Sequence, residues 1–140
     1  MEHSVQLPIR AIQHIGIPVT DISRSEAFYR GLGFDNVMQA PFEHNGQAGT
    51  CIMMKRNQVV IELYRLPDPE LAAIRNRKDG HIDHIAFDVP DIEEAFNILK
   101  AGGYHIFEEA PVFLHFCKNG CRYFNISGPD GERLEFNQVL

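Results

Sequence analysis

No apolar run in this 140-residue chain approaches the roughly 18 residues of a membrane span. Its first residues, Met1-Glu2-His3-Ser4-Val5-Gln6, lack a signal peptide's basic start and apolar centre. The expectation is a cytoplasmic protein with no membrane partner. Positive charge is scarce as well: 13 Lys and Arg stand against 19 Asp and Glu, a formal net charge of −6. A nucleic-acid surface works by neutralising phosphates, so nucleic acid is not an expected partner. The one basic cluster, Arg75-Asn76-Arg77-Lys78, reads as a solvated helix end or loop. Cysteine is sparse and odd in number: Cys51, Cys117 and Cys121 are expected as reduced thiols. The last two flank the turn Lys118-Asn119-Gly120 and are expected to face each other across a hairpin. They have neither a Cys-x-x-Cys spacing nor a further ligand to support zinc or redox chemistry.

What remains is an ordinary globular composition, 44% hydrophobic and 23% charged. The length suits one domain, or two closely packed modules that would be marginal alone. An internal repeat favours the second description. A shift of 70 positions lays His14 on His84, Ile15 on Ile85, Val19 on Val89, Asp21 on Asp91, Ile22 on Ile92 and Gly33 on Gly103. The late strands match at a shift of 73, which lays Glu62 on Glu135. The modules are placed at 1–68 and 82–140, with 69–81 as a linker, together making one compact domain.

Each copy reads as a strand, a helix and then three strands. The opening strands are 11–19 and 82–89. In the second helix Ile92, Ala95, Phe96 and Leu99 recur at i, i+3, i+4 and i+7, Asp91 with Glu94 resembles a capping box, and Gly102-Gly103 marks the end. In the first, Asp21 or Ser23 caps, and Gly31 and Gly33 stop the helix. The later strands are expected at 34–40, 49–55 and 58–65, and at 104–109, 112–117, 122–127 and 132–138. Asn45-Gly46, Arg56-Asn57, Lys118-Asn119-Gly120 and Pro129-Asp130-Gly131 signal turns.

Within this pattern each copy carries a histidine in its first strand and a glutamate in its last: His14 and Glu62, then His84 and Glu135. Alternation puts His14 on one face with Gly16 and Pro18, opposite Ile15, Ile17 and Val19; it puts His84 with Ala86, opposite Ile85, Phe87 and Val89. A carboxylate inside an apolar run costs several kcal/mol, on the order of known burial penalties, unless it is exposed or meets a cation. A histidine or glutamate alone is ordinary in such a strand. Four of them, in the same role twice, suit one divalent ion. Of the other histidines, His3 falls in the chain end and His44 beside a turn, while His81 and His105 have no carboxylate partner in view. His115, with Phe113 and Cys117 on its face, is a candidate pocket residue.

Around these residues the chain resembles the vicinal-oxygen-chelate superfamily of glyoxalases, bleomycin-resistance proteins and extradiol dioxygenases. The resemblance includes Val19-Thr20-Asp21-Ile22, the run Phe28-Tyr29-Arg30-Gly31-Leu32-Gly33-Phe34, and Gly128-Pro129-Asp130-Gly131 followed by Leu134-Glu135-Phe136. It implies an α+β fold in which two βαβββ modules form a half-open mixed β-barrel around a metal, in a protein that is often a homodimer. Metal-bound glyoxalase I proteins are the most similar, since their ligands run His, Glu, His, Glu, matching His14, Glu62, His84 and Glu135. Methylmalonyl-CoA epimerases more often carry glutamine at the position of Glu62, and ring-cleaving dioxygenases and fosfomycin-modifying relatives use three ligands. Where similar glyoxalases contact glutathione, this chain has Pro18 and Leu66.

The implied activity is a glyoxalase I-like lyase or isomerase acting on a small thiol adduct or acyl thioester. It would work through an enediolate formed by proton removal next to a carbonyl. Glu135 would be the catalytic base with Glu62 as its partner, and one nickel, zinc, manganese, iron or cobalt ion the cofactor. Cys51, Met53, Phe113, His115 and Phe124 are candidate pocket walls. The alternatives are an epimerase-like or dioxygenase-like metalloenzyme, and a metal-free binding module of the bleomycin-resistance kind.

Overall fold

The structure, a computed structural model, describes residues 4–77, 82–127 and 133–140. His3, Lys78, His81 and the turn Gly128-Pro129-Asp130-Gly131 lie outside the described residues. The elements are β1 (Ala11–Pro18), α1 (Ile22–Gly31), β2 (Asp35–His44), β3 (Gln47–Arg56), β4 (Val59–Arg65), α2 (Glu70–Arg75), β5 (His84–Asp88), α3 (Ile92–Ala101), β6 (Val112–Leu114), β7 (Cys121–Ser127) and β8 (Arg133–Val139). The chain divides into two compact units: His14–Asp83, and residues 84–140 with the N-terminal residues up to Gln13.

In the first unit β2, β3 and β4 form an antiparallel meander, and β1 lies parallel to β4. Asn45 and Gly46 make the two-residue β2–β3 turn with φ of 51° and 76°, the left-handed pair that a type I′ hairpin requires. Asn57, at φ 53°, turns β3 into β4. The Asp21 carboxylate accepts from Arg24 N at 3.0 Å and so caps α1. The helix passes through Gly31 and gives way at Gly33, whose φ is 94°. Ile22 and Tyr29 of this helix, with Ile17, Val19, Phe34 and Ile61, cover a core of Ile52, Met54 and Leu63. Each fully buried aliphatic side chain there contributes about 1.5–3 kcal/mol. Since side chains alternate, His14, Gly16 and Pro18 of β1 point away from that core, as do Glu62 and Tyr64 of β4 and Cys51 and Met53 of β3.

The second unit repeats the plan. β5 is parallel to β8, β8 is antiparallel to β7, and β7 is antiparallel to β6. Asp91 caps α3 by accepting from Glu94 N at 3.1 Å, and Ile92, Ala95, Phe96 and Leu99 are buried as their spacing predicts. They meet Val89, Phe124, Ile126 and Phe136. Phe124 is stacked on Phe136 at 5.3 Å and edge-on to Phe96 at 5.2 Å. Val5 and Leu7 pack on the same cluster, and Arg10 Nε donates to Asp88 Oδ2 at 2.6 Å. The N-terminal arm therefore serves the second unit, although its sequence position suggests the first.

Four expectations change. Residues 104–109 form no strand, because their pairing with β7 is partly taken over by a side chain. Ile106 bridges Ile126, and Phe107 N donates to Asn125 O at 2.9 Å, but Asn125 N and Nδ2 donate to the Glu108 carboxylate at 2.7 and 2.8 Å. β6 stops at Leu114 rather than 117, and Cys117 has a φ of 63°, outside the range of a strand. Cys117 thus lies within the turn, while Cys121 pairs with Leu114, so the two cysteines do not oppose each other, and none of the three cysteines is in a disulfide. Finally, the expected linker contains α2, too short to show a periodic stripe. It is tied to β2 by His44 Nε2, 3.2 Å from Glu70 Oε1. The Glu70 carboxyl is held below its usual range, first by its own backbone N–H and then by His44.

Candidate functional site

Each unit builds one histidine–glutamate pair in the same way. In the first, Gly16 of β1 is the register partner of Glu62 on parallel β4, and His14 sits two residues earlier on the same face. His14 is 2% exposed, and its Nε2 lies 3.8 Å from Glu62 Oε1. The other carboxylate oxygen, Oε2, accepts from the Cys51 thiol at 3.6 Å. In the second unit Ala86 of β5 is the register partner of Glu135 on parallel β8, with His84 again two residues earlier. His84 Nε2 lies 3.5 Å from Glu135 Oε1, and both residues are buried. A small residue opposite each glutamate leaves room for the imidazole to lean across the strand pair.

The second pair has a more elaborate surround. Asn137 Nδ2 donates to Glu135 Oε2 at 3.0 Å, Gln13 Nε2 donates to Asn137 Oδ1 at 3.1 Å, and the same amide approaches Asp88 Oδ1 at 3.4 Å. This chain fixes the far oxygen of Glu135 and leaves Oε1 turned to His84. On the other side Arg133, register partner of His84, places Nη2 3.0 Å from His84 Nδ1. Sequence reading missed Arg133, Asn137 and Gln13. The first two flank Glu135 at i−2 and i+2, so strand alternation alone would have put them on its face.

Of the candidate pocket walls, Cys51 and Met53 share the face of Glu62. The second unit's candidates do not share the face of Glu135. Phe124 pairs with Phe136, points to the α3 side and is fully buried in the core, so it is packing rather than a wall. Phe113 pairs with Arg122, a residue of that same opposite face, and is 45% exposed. His115 lies beyond the end of β6, exposed, with its ring edge-on to Phe113 at 4.8 Å. Partial desolvation lifts the Cys117 thiol above its usual range. Pro18 is buried on the His14 face and brings no charge to it.

The donor chemistry suits a divalent ion. Each pair offers a buried imidazole nitrogen and a carboxylate oxygen, the mixed N/O set favoured by first-row transition metals. Among the described residues no helix is long and apolar enough to cross a membrane.

The chain matches the family model of the Glyoxalase/Bleomycin resistance protein/Dioxygenase superfamily over residues 11–136. It is 30% identical over 131 residues to the uncharacterized protein YwbC of Bacillus subtilis (strain 168), covering 92% of this chain and 98% of that protein. In fold it is similar to methylmalonyl-CoA epimerase from Mycobacterium tuberculosis, with a TM-score of 0.78 at 18% identity, covering 99% of this chain and 93% of that one. It is also similar to a Streptomyces coelicolor methylmalonyl-CoA epimerase variant in complex with 2-nitronate-propionyl-CoA, with a TM-score of 0.74 at 20% identity, covering 94% and 98%. These likenesses show the fold, two βαβββ modules, as the sequence leads one to expect.

Proposed function

Because the chain belongs to the glyoxalase/bleomycin resistance protein/dioxygenase superfamily, we propose that it is a divalent-metal-dependent isomerase or lyase of the glyoxalase I type, with His14, Glu62, His84 and Glu135 serving one ion. The observation that carries the reading is the repeated pair: in each unit a buried imidazole Nε2 faces a carboxylate oxygen, at 3.8 Å and at 3.5 Å, across a parallel strand pair. A bound divalent ion would supply Lewis-acid stabilisation of the enediolate oxygens that develop when a C–H proton next to a carbonyl is lost.

The side chains divide the remaining work. Glu135 takes the proton from the substrate carbon and returns it, and Glu62 serves the opposite side. Asn137 and Gln13 orient Glu135, so its proton-transfer geometry is set before substrate arrives. Cys51 and Met53, on the Glu62 face, line the substrate side of the first unit.

A second reading, epimerisation of an acyl-CoA thioester, uses the same proton removal and return. It is favoured by the fold shared with methylmalonyl-CoA epimerases and by Pro18 and Leu66 standing where similar glyoxalases contact glutathione. Metal content by mass spectrometry tests the common premise: about one ion per chain in the parent, lost in His14→Ala. Glu135→Gln should keep the fold and slow deuterium exchange into substrate by about 10²-fold, the scale of general acid–base catalysis. Protein that takes up no metal after incubation with nickel, manganese, iron and zinc would turn the reading to a metal-free binding module.

A further inference from the structure

Arg133 lies beside a proposed ligand in a way that is chemically awkward for ligation. Its guanidinium Nη2 is 3.0 Å from His84 Nδ1, and a guanidinium has only N–H donors, with no lone pair to accept. Nδ1 must therefore be the acceptor, and the single ring proton of neutral His84 sits on Nε2, the nitrogen turned toward Glu135 Oε1 at 3.5 Å. A metal ligand needs that lone pair bare. Histidines that ligate through one nitrogen ordinarily donate the other N–H to a carboxylate, carbonyl or water, whereas here the partner is a second donor with a full positive charge. Both ring nitrogens of His84 are closed to a cation while this contact stands.

We propose that Arg133 and a divalent ion exclude each other at His84. Arg133 is a positioning residue that holds His84 in the Nε2–H tautomer, and loading the site displaces its guanidinium from Nδ1. The register makes this possible: Arg133 is the β8 partner of His84, so the contact forms as soon as β5 and β8 pair. The inference rests on the metal reading of the site but separates from it in the test. Metal affinity is then set partly by the ease of moving one arginine, and replacing that arginine with an acceptor should raise it.

The experiment compares the parent with Arg133→Gln and Arg133→Lys. The glutamine carbonyl oxygen can accept from Nδ1–H, while lysine, like arginine, can only donate. In protein stripped of metal, long-range ¹H–¹⁵N correlation should report the Nε2–H tautomer of His84 in the parent and in Arg133→Lys, and Nδ1–H in Arg133→Gln. Cobalt(II) titration, followed by absorbance, should give Arg133→Gln a dissociation constant about 10- to 100-fold lower than the parent's, the scale of outer-shell effects on metal affinity. Arg133→Lys should stay near the parent, and circular dichroism checks that all three fold. Equal or weaker cobalt binding by folded Arg133→Gln, or an Nδ1–H tautomer in the parent, would overturn this inference while leaving the metal site standing. No cobalt binding by any of the three would sink the metal reading, and the inference with it.

Discussion

Truncating Phe124 to alanine separates packing from pocket at the one candidate wall that the structure moves into the core. The ring has no exposed surface, stacks on Phe136 at 5.3 Å and meets Phe96 edge-on at 5.2 Å. Removing a buried phenylalanine costs about 3–5 kcal/mol, from lost transfer energy and the cavity left behind. Each aromatic pair adds roughly 0.5–1.5 kcal/mol beyond area, so the upper half of that range is expected. Against a total stability of about 5–15 kcal/mol for a domain, such a loss is large. Phe113→Ala is the control: that ring is 45% exposed and its removal should cost less than about 1 kcal/mol. Equilibrium urea unfolding, with slopes compared so that a change in midpoint can be read as a change in stability, measures both. A Phe124→Ala midpoint equal to that of Phe113→Ala, with metal or substrate affinity altered instead, would refute the assignment of this ring to the core.

Two other predictions test how the units are held. Glu26 accepts from Asn36 and Arg30, and these hydrogen bonds hold its carboxyl below the usual value of 4.5, Asn36 contributing most. A depressed folded pKa means stability that is present above 4.5 and lost as pH falls through the folded value. The stability advantage of the parent over Glu26→Gln, measured by urea unfolding across pH, should therefore shrink below about pH 4.5 and be constant above it; a gap that persists into acid contradicts this. Glu108→Ala leaves the buried Asn125 amide donors without their acceptor, which should cost about 2–4 kcal/mol and speed hydrogen exchange at the Asn125 N–H. Unchanged exchange there would show that the strand edge is satisfied in another way.

Most of the architecture is legible in the chain because its signals are local and occur twice. Asp21 and Asp91 each cap a helix, Asn45-Gly46 can hardly be other than a hairpin turn, and the stripe of Ile92, Ala95, Phe96 and Leu99 is buried where its period puts it. The pairing of each histidine with its own glutamate follows from the repeat. What stays hidden depends on one side chain acting at a distance. Glu108 displaces a strand by offering a carboxylate to Asn125, and nothing in the run Tyr104–Glu109 announces it. His44 anchors α2 through Glu70 across an intervening hairpin. Phe124 alternates with Tyr123 and Asn125 in a strand with large residues on both faces, so periodicity alone does not say which face is the core. Arg133 and Asn137 were within reach of the same alternation that placed Glu135.

The parallel pairing of β1 with β4 and of β5 with β8 has a consequence for when the protein becomes competent. In each module the histidine stands on the opening strand and the glutamate on the closing one, so the two meet only after the whole intervening chain has been threaded. Pairings of this long range are the slow events of folding, since the closure entropy comes before any reward. A chain still on the ribosome, with β8 not yet emerged, carries His84 with no Glu135 to face. Whatever the two pairs hold is thus taken up late, by a finished module.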